Sequence, residues 1–128
     1  VAASVATAAP GESTGSTTYT GLTTAGPSVT LTVPATGKIL VSVAASMIAS
    51  TSSTQCYTSY AVSGGSTVAA VDLNAVTFTG GALSRASAAS ELTGLTPGST
   101  ITVTAQYRSG GPGTCTYNNR TIIVLPLP

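Results

Sequence analysis

The chain has 128 residues, of which 42% are hydrophobic and only 5% charged, with four basic and three acidic side chains and a formal net charge of +1. One domain fits this length, and the charge, far below the roughly one quarter of an average protein, leaves no basic patch to neutralise a run of phosphates. No run of about 18 apolar residues is present to span a membrane, and the high apolar content argues against disorder. The polar remainder is mostly Ser, Thr and Gly, a surface that is easily desolvated and suited to assembly.

In chain order, "VAASVATAAPGEST" has neither the charged start nor the apolar block of a targeting segment. A chain that starts at Val1 has lost an initiator Met or been trimmed from something longer. Residues 1–27, rich in Ala, Ser, Thr and Gly with breakers at Pro10 and Pro27, read as an extended arm carrying one short strand over residues 17–24. The expected division is an extended N-terminal arm over residues 1–15 and a single β-sandwich domain over residues 16–128.

From Ser28 the pattern sharpens. Val29, Leu31 and Val33 alternate with Ser28, Thr30 and Thr32, the period-2 signature of a half-buried strand, ended by Pro34 and Gly37. In "KILVSVAASMIAS" Ile39, Val41, Val43 and Ala45 take one face. "CYTSYAVSGG", "STVAAVDL", "AVTFTGG", "ALSRASAASEL", "STITVTAQYR" and "RTIIVLPL" are further strand candidates, each bounded by Gly, Pro, Asn or Ser. The expected fold class is therefore all-β, a jelly-roll-like antiparallel β-sandwich with an extended N-terminal arm. In the last strand Ile122 and Val124 point one way and Ile123 and Leu125 the other, so both faces are apolar. Two fates are open to it: burial of Ile122, Ile123, Val124 and Leu125 partly against a second subunit, or cover supplied by the chain's own arm.

Side chains able to carry chemistry are few. There is no His, which removes the commonest general base and metal ligand. Two carboxylates, Asp72 and Glu91, are a weak signal for a glycosidase pair, and Asp72 with Asn74 lacks the further oxygen ligands of a calcium loop. The chain reads as no enzyme, with no catalytic residue, no metal site and no cofactor. Arg85 and Glu91 share a face of one strand and Arg120 shares a face with Ile122 and Val124, so Arg85, Arg120 and Glu91 are expected as structural anchors, an Arg being held by carbonyls or by Glu91. Cys56 and Cys115 each follow a polar loop and open a strand; they are either bridged, for about 4 kcal/mol in the chain-entropy model, or two buried thiols acting as small apolar groups. A glycan site would have to rest on Tyr57, Tyr60 or Tyr117 near the loop ends, although core packing is the commoner fate of tyrosine.

"LTGLTPGS" followed by an alternating strand resembles the late strands of a fibronectin type III domain, but no Trp marks an early strand and the chain is too long for one such domain. Taken together, Gly26-Pro27-Ser28, the run Ala61 to Gly64, the turn Leu92 to Gly98, the pair Tyr107-Arg108 and Asn119-Arg120 ahead of the apolar terminus resemble a jelly-roll domain of actinobacterial phage virion proteins, of minor tail or fibre and capsid decoration type. The resemblance covers about residues 16–127; Cys56 and Cys115 lie outside its pattern. It implies a non-enzymatic structural protein of a bacteriophage virion, a homotrimer displayed on the particle surface, with itself and other capsid or tail proteins as partners and neither nucleic acid nor membrane. The alternatives are a host-surface glycan-binding module of a phage tail, and a secreted bacterial surface-filament subunit or fibronectin-like module whose arm donates a strand to its neighbour.

Overall fold

The computed structural model describes residues 3–128. These residues form nine β-strands and a single 3-10 turn, with no α-helix among them. The strands are β1 (Ser4–Ala8), β2 (Glu12–Thr14), β3 (Ser28–Thr32), β4 (Ile39–Ala49), β5 (Gln55–Gly64), β6 (Val76–Thr79), β7 (Ser84–Leu92), β8 (Thr100–Ser109) and β9 (Cys115–Pro126). They pair antiparallel in two sheets, β1-β9-β4-β7 with β2 also on β9, and β3-β8-β5-β6. With β1 and β2 sharing one position beside β9, this is the eight-position order of a jelly roll, in which the chain alternates between the sheets from β2 to β5, pairs β5 with β6 in one sheet, and alternates again to β9.

Period-2 alternation places the core. Ile39, Val41, Val43, Ala45 and Met47 of β4 and Ile122 and Val124 of β9 face Ile101, Val103, Ala105 and Tyr107 of β8 and Cys56, Tyr60 and Val62 of β5, all of them buried. Across the interior the Tyr60 hydroxyl meets the Ser90 hydroxyl at 2.6 Å. At one end the Cys56–Cys115 disulfide joins β5 to β9, and so one sheet to the other, with a Cα separation of 5.7 Å. At the other end the turn of residues 92–98 is clasped by the loop before β4. The Leu95 N–H donates to the Gly37 carbonyl at 3.1 Å, the Gly98 N–H donates to the Val33 carbonyl at 2.9 Å, and the Leu95 side chain is buried.

Three expectations are corrected. Residues 4–8 and 12–14 are not an arm outside the sandwich: they run along β9 with Ser4 opposite Val124 and Glu12 opposite Tyr117. They complete their own sheet because an unaccompanied β9 would leave its backbone groups unpaired along that edge. The short strand over residues 17–24 reduces to one bridge, in which Thr20 and Tyr107 exchange two 2.9 Å hydrogen bonds. "STVAAVDL" holds only the Val62–Val68 bridge and then the 3-10 turn Asp72–Asn74, because its path crosses the second sheet instead of joining it.

One irregularity decides where the last strand points. In β9 two residues, Asn119 and Arg120, oppose Ala45, between the pairs Ser46–Asn118 and Ala44–Thr121, and Asn119 has φ of 49°. This β-bulge shifts the alternation by one residue. Cys115 and Tyr117 before it and Arg120, Ile122 and Val124 after it all face inward.

Candidate functional site

The chain's charges are mostly consumed internally. Arg120 is fully buried, a consequence of the bulge; its Nη1 donates to the Thr24 and Gly26 carbonyls at 3.1 and 3.2 Å and its Nη2 to a Glu12 carboxylate oxygen at 3.0 Å. Glu12 also accepts from the Thr24 N–H and hydroxyl, each at 2.8 Å. Those two Thr24 bonds first, and then Arg120, hold its carboxyl below the usual carboxylate range. The Tyr107 ring packs with the Tyr117 ring at a centroid distance of 4.7 Å and with the Arg120 guanidinium at 5.3 Å. Burial pushes the Tyr107 phenol up to about 12. The arrangement fastens residues 16–27 alongside β8, where Ser16, Thr20 and Pro27 bond its backbone at Ser109, Tyr107 and Ala105.

A second cluster lies outside β5 and β8. Arg108 donates from Nε and Nη2 to both carboxylate oxygens of Asp72, at 3.0 and 2.7 Å, and stacks 3.7 Å from the Tyr57 ring centroid. The Tyr19 hydroxyl donates to Asp72 at 2.7 Å. Arg108 lowers the Asp72 carboxyl, while burial raises the Tyr19 phenol. Asp72 comes from the 3-10 turn and Tyr19 from the segment before β3, so this fork fastens two loops to the sheet.

Several expected sites are placed differently. Arg120 is an anchor held by carbonyls, but its carboxylate is Glu12 and not Glu91. Arg85, from β7, reaches over β4 to donate to the Asn119 carbonyl and, at 3.2 Å, to the Thr121 hydroxyl. Glu91 makes no ion pair among the described residues, and it lies outside the first sheet while Asp72 lies outside the second, so the two acids share no site. Tyr60 and Tyr117 are fully buried and offer no ring to a glycan; the Tyr117 hydroxyl donates to the Arg108 carbonyl at 2.7 Å. Tyr57 keeps a partly open ring, one face of it covered by Arg108. Ile122 and Val124 belong to the monomer's core, which leaves Ile123 and Leu125 as the outward pair of the expected interface.

That outward pair sits in a surface no single strand reveals. On the outer face of the first sheet one row runs Val5, Ile123, Ser42, Ala89; the row on one side ends Leu125, Leu40, Glu91, and that on the other runs Thr7, Thr121, Ala44, Ser87. Val5 is 58% and Ile123 38% exposed. In these rows β1, β9 and β4 bear only small, hydroxyl and aliphatic side chains, Asn118 lies beyond them opposite Ser46, and Arg85 and Glu91 stand at the β7 margin. Sequence reasoning missed Val5, Leu40 and Glu12. Leu40 sits in the alternation of "KILVSVAASMIAS", but Val5 and Glu12 fall in an Ala/Ser/Thr segment whose two faces are too alike in polarity to mark a strand.

No family model matches the chain, and no curated protein does. Among solved structures, the VP2 subviral particle of infectious bursal disease virus aligns over 98% of this chain with a TM-score of 0.54 at 15% identity. The Gx strain of the same virus aligns over 98% with a TM-score of 0.53 at 13% identity. This chain spans 32% of the length of each of those chains. The likeness is one of fold alone: the chain is a jelly-roll β-sandwich.

Proposed function

We propose that the chain is a non-enzymatic structural module of a virus particle, built from copies of itself as a homotrimer and displayed on the virion surface. On the sequence resemblance that particle is a bacteriophage, and the module is a capsid decoration protein or the globular head of a tail or fibre protein. The observation that carries the reading is the outer face of the first sheet. Interface cores are depleted of charge and enriched in groups that lose little on desolvation, and the row Val5, Ile123, Ser42, Ala89 has that composition in a chain whose few other charges are paired or peripheral. The jelly-roll likeness to a capsid protein supports the setting at the level of fold alone.

Sedimentation equilibrium at micromolar concentration tests it. The wild-type chain is expected at three times its 12.4 kDa mass or at a multiple of that. Ile123→Asp places an unpaired carboxylate in the contact beside Val5 and Ser42 and dissociates the trimer. The released chain stays folded, because Ile123 lies outside the core. A wild-type monomer whose mass is unchanged by the substitution would refute the reading.

A further inference from the structure

We propose that β7 is a separate contact surface, at which two copies of this chain pair edge to edge and antiparallel about a two-fold axis through Ala88. β7 ends the first sheet, and along its free side its backbone makes no hydrogen bond among the described residues. It runs nine residues without Pro or Gly. The other edges are guarded or short: β3 has five residues between Pro27 and Pro34, β6 has four, and Pro10 divides β1 from β2. Soluble proteins usually protect an edge as long as β7 with like charges that repel another copy.

The charges on β7 are of opposite sign. Arg85 and Glu91 stand six residues apart on the outer face, and the antiparallel self-register that sets Arg85 opposite the second copy's Glu91 is the one that sets Ala88 opposite itself. A two-fold axis makes that ion pair twice. Between the two pairs it places only small residues together, Ala86 against Ser90 and Ser87 against Ala89, so nothing obstructs the ladder. Among the described residues Glu91 is the acidic side chain without an ion pair, and Lys38, just before β4, makes none with it. Arg85 lies on the surface with its Nε–H unused and swings from the Asn119 carbonyl to the carboxylate. Leu83 at the head of β7 is 58% exposed, and Leu73, 91% exposed, belongs to the 3-10 turn packed against β7. Both flank this edge and gain cover when it is paired.

The contact uses the edge of the sheet and not its face, so it stands independently of the trimer. A chain carrying both contacts extends beyond a closed ring into a net or shell. A charge-reversal cycle read by sedimentation tests the edge. Arg85→Glu and Glu91→Arg each set two like pairs against one another and weaken the two-fold association about tenfold, and the double variant Arg85→Glu/Glu91→Arg restores it. Association indifferent to the single changes, or not recovered in the double, overturns the proposal. The register is read without charge by Ala88→Cys, since opposed residues of an antiparallel pair lie within disulfide reach: oxidation gives a covalent dimer, whereas Ala86→Cys does not cross-link. A cross-link at 86 and none at 88, or none at either, also overturns it. Adding Ile123→Asp to the Ala88→Cys variant leaves its cross-link intact, so failure of the face and failure of the edge are told apart.

Discussion

A guanidinium with no exposed surface needs acceptors on several sides, and Arg120 finds them in the Thr24 and Gly26 carbonyls and the Glu12 carboxylate. These acceptors come from β2 and the loop after it, so one side chain of the last strand ties residues 12–26 in place. Replacing it with Met keeps much of its volume but leaves the Thr24 carbonyl without its donor and Glu12 without its cation. Arg120→Met is expected to lower the unfolding free energy by about 3 kcal/mol, the scale for breaking a buried ion pair. Hydrogen exchange should rise selectively at Thr20, whose N–H bonds the Tyr107 carbonyl. Arg108 differs in kind: its bidentate bond to Asp72 is partly open to water and screened, so its worth lies in fixing two loops and less in net stability.

At the scale of elements, the turn that opens "LTPGSTITVT" depends on its neighbour as much as on its own Pro-Gly. Gly37 has φ of +68°, and a Cβ there would lie 2.7 Å from the Leu95 carbonyl oxygen. Both facts exclude a side chain, since the left-handed region alone costs a non-glycine residue about 1–3 kcal/mol and the oxygen belongs to backbone that is itself hydrogen-bonded. Gly37→Ala is expected to destabilise by about 3 kcal/mol, the sum of a strained backbone and a forced shift of Leu95 out of the core. Chemical denaturation should show the loss with an unchanged m-value. Gly94→Ala, at φ of +72° with no atom within 4 Å of its Cβ position, should lose only the backbone part.

For the whole molecule, the ionisable groups set a pH window. Glu12 and Asp72 have depressed carboxyls in the folded chain, the first through Thr24 and the second through Arg108. Their contribution is present above the unfolded carboxylate value of about 4 and is lost as pH falls through the lower folded values. Tyr60, Tyr107 and Tyr117 are raised, chiefly by burial. Their contribution is full below the unfolded phenol value of about 10 and is lost as pH rises toward the folded ones. With no His in the chain, Tm measured by calorimetry is expected to be flat from about pH 5 to pH 9 and to fall on both sides. The alkaline fall should be the steeper, because three phenols deep in the structure must ionise there. A transition near neutrality would contradict this account.

By itself the sequence determined the fold class and most of the strands from β3 onward, because side chains that alternate between Val or Ile and Ser or Thr suit only a pleated strand with one wet face. It also determined that Arg120, Ile122 and Val124 share a side, since that follows from parity after the bulge. Only the tertiary structure decided that this side is the core, that residues 4–8 and 12–14 belong to the sheet, and that Glu12 is the partner of Arg120. The reason is physical: Ala, Ser and Thr differ too little in transfer free energy for "VAASVATAAPGEST" to mark which face is buried, and an ion pair 108 residues apart along the chain leaves no periodic trace. The outer face of Val5, Ile123 and Leu40 was hidden for the same reason. Each strand contributes one or two ordinary side chains, and their sum becomes a surface only when register sets them in rows.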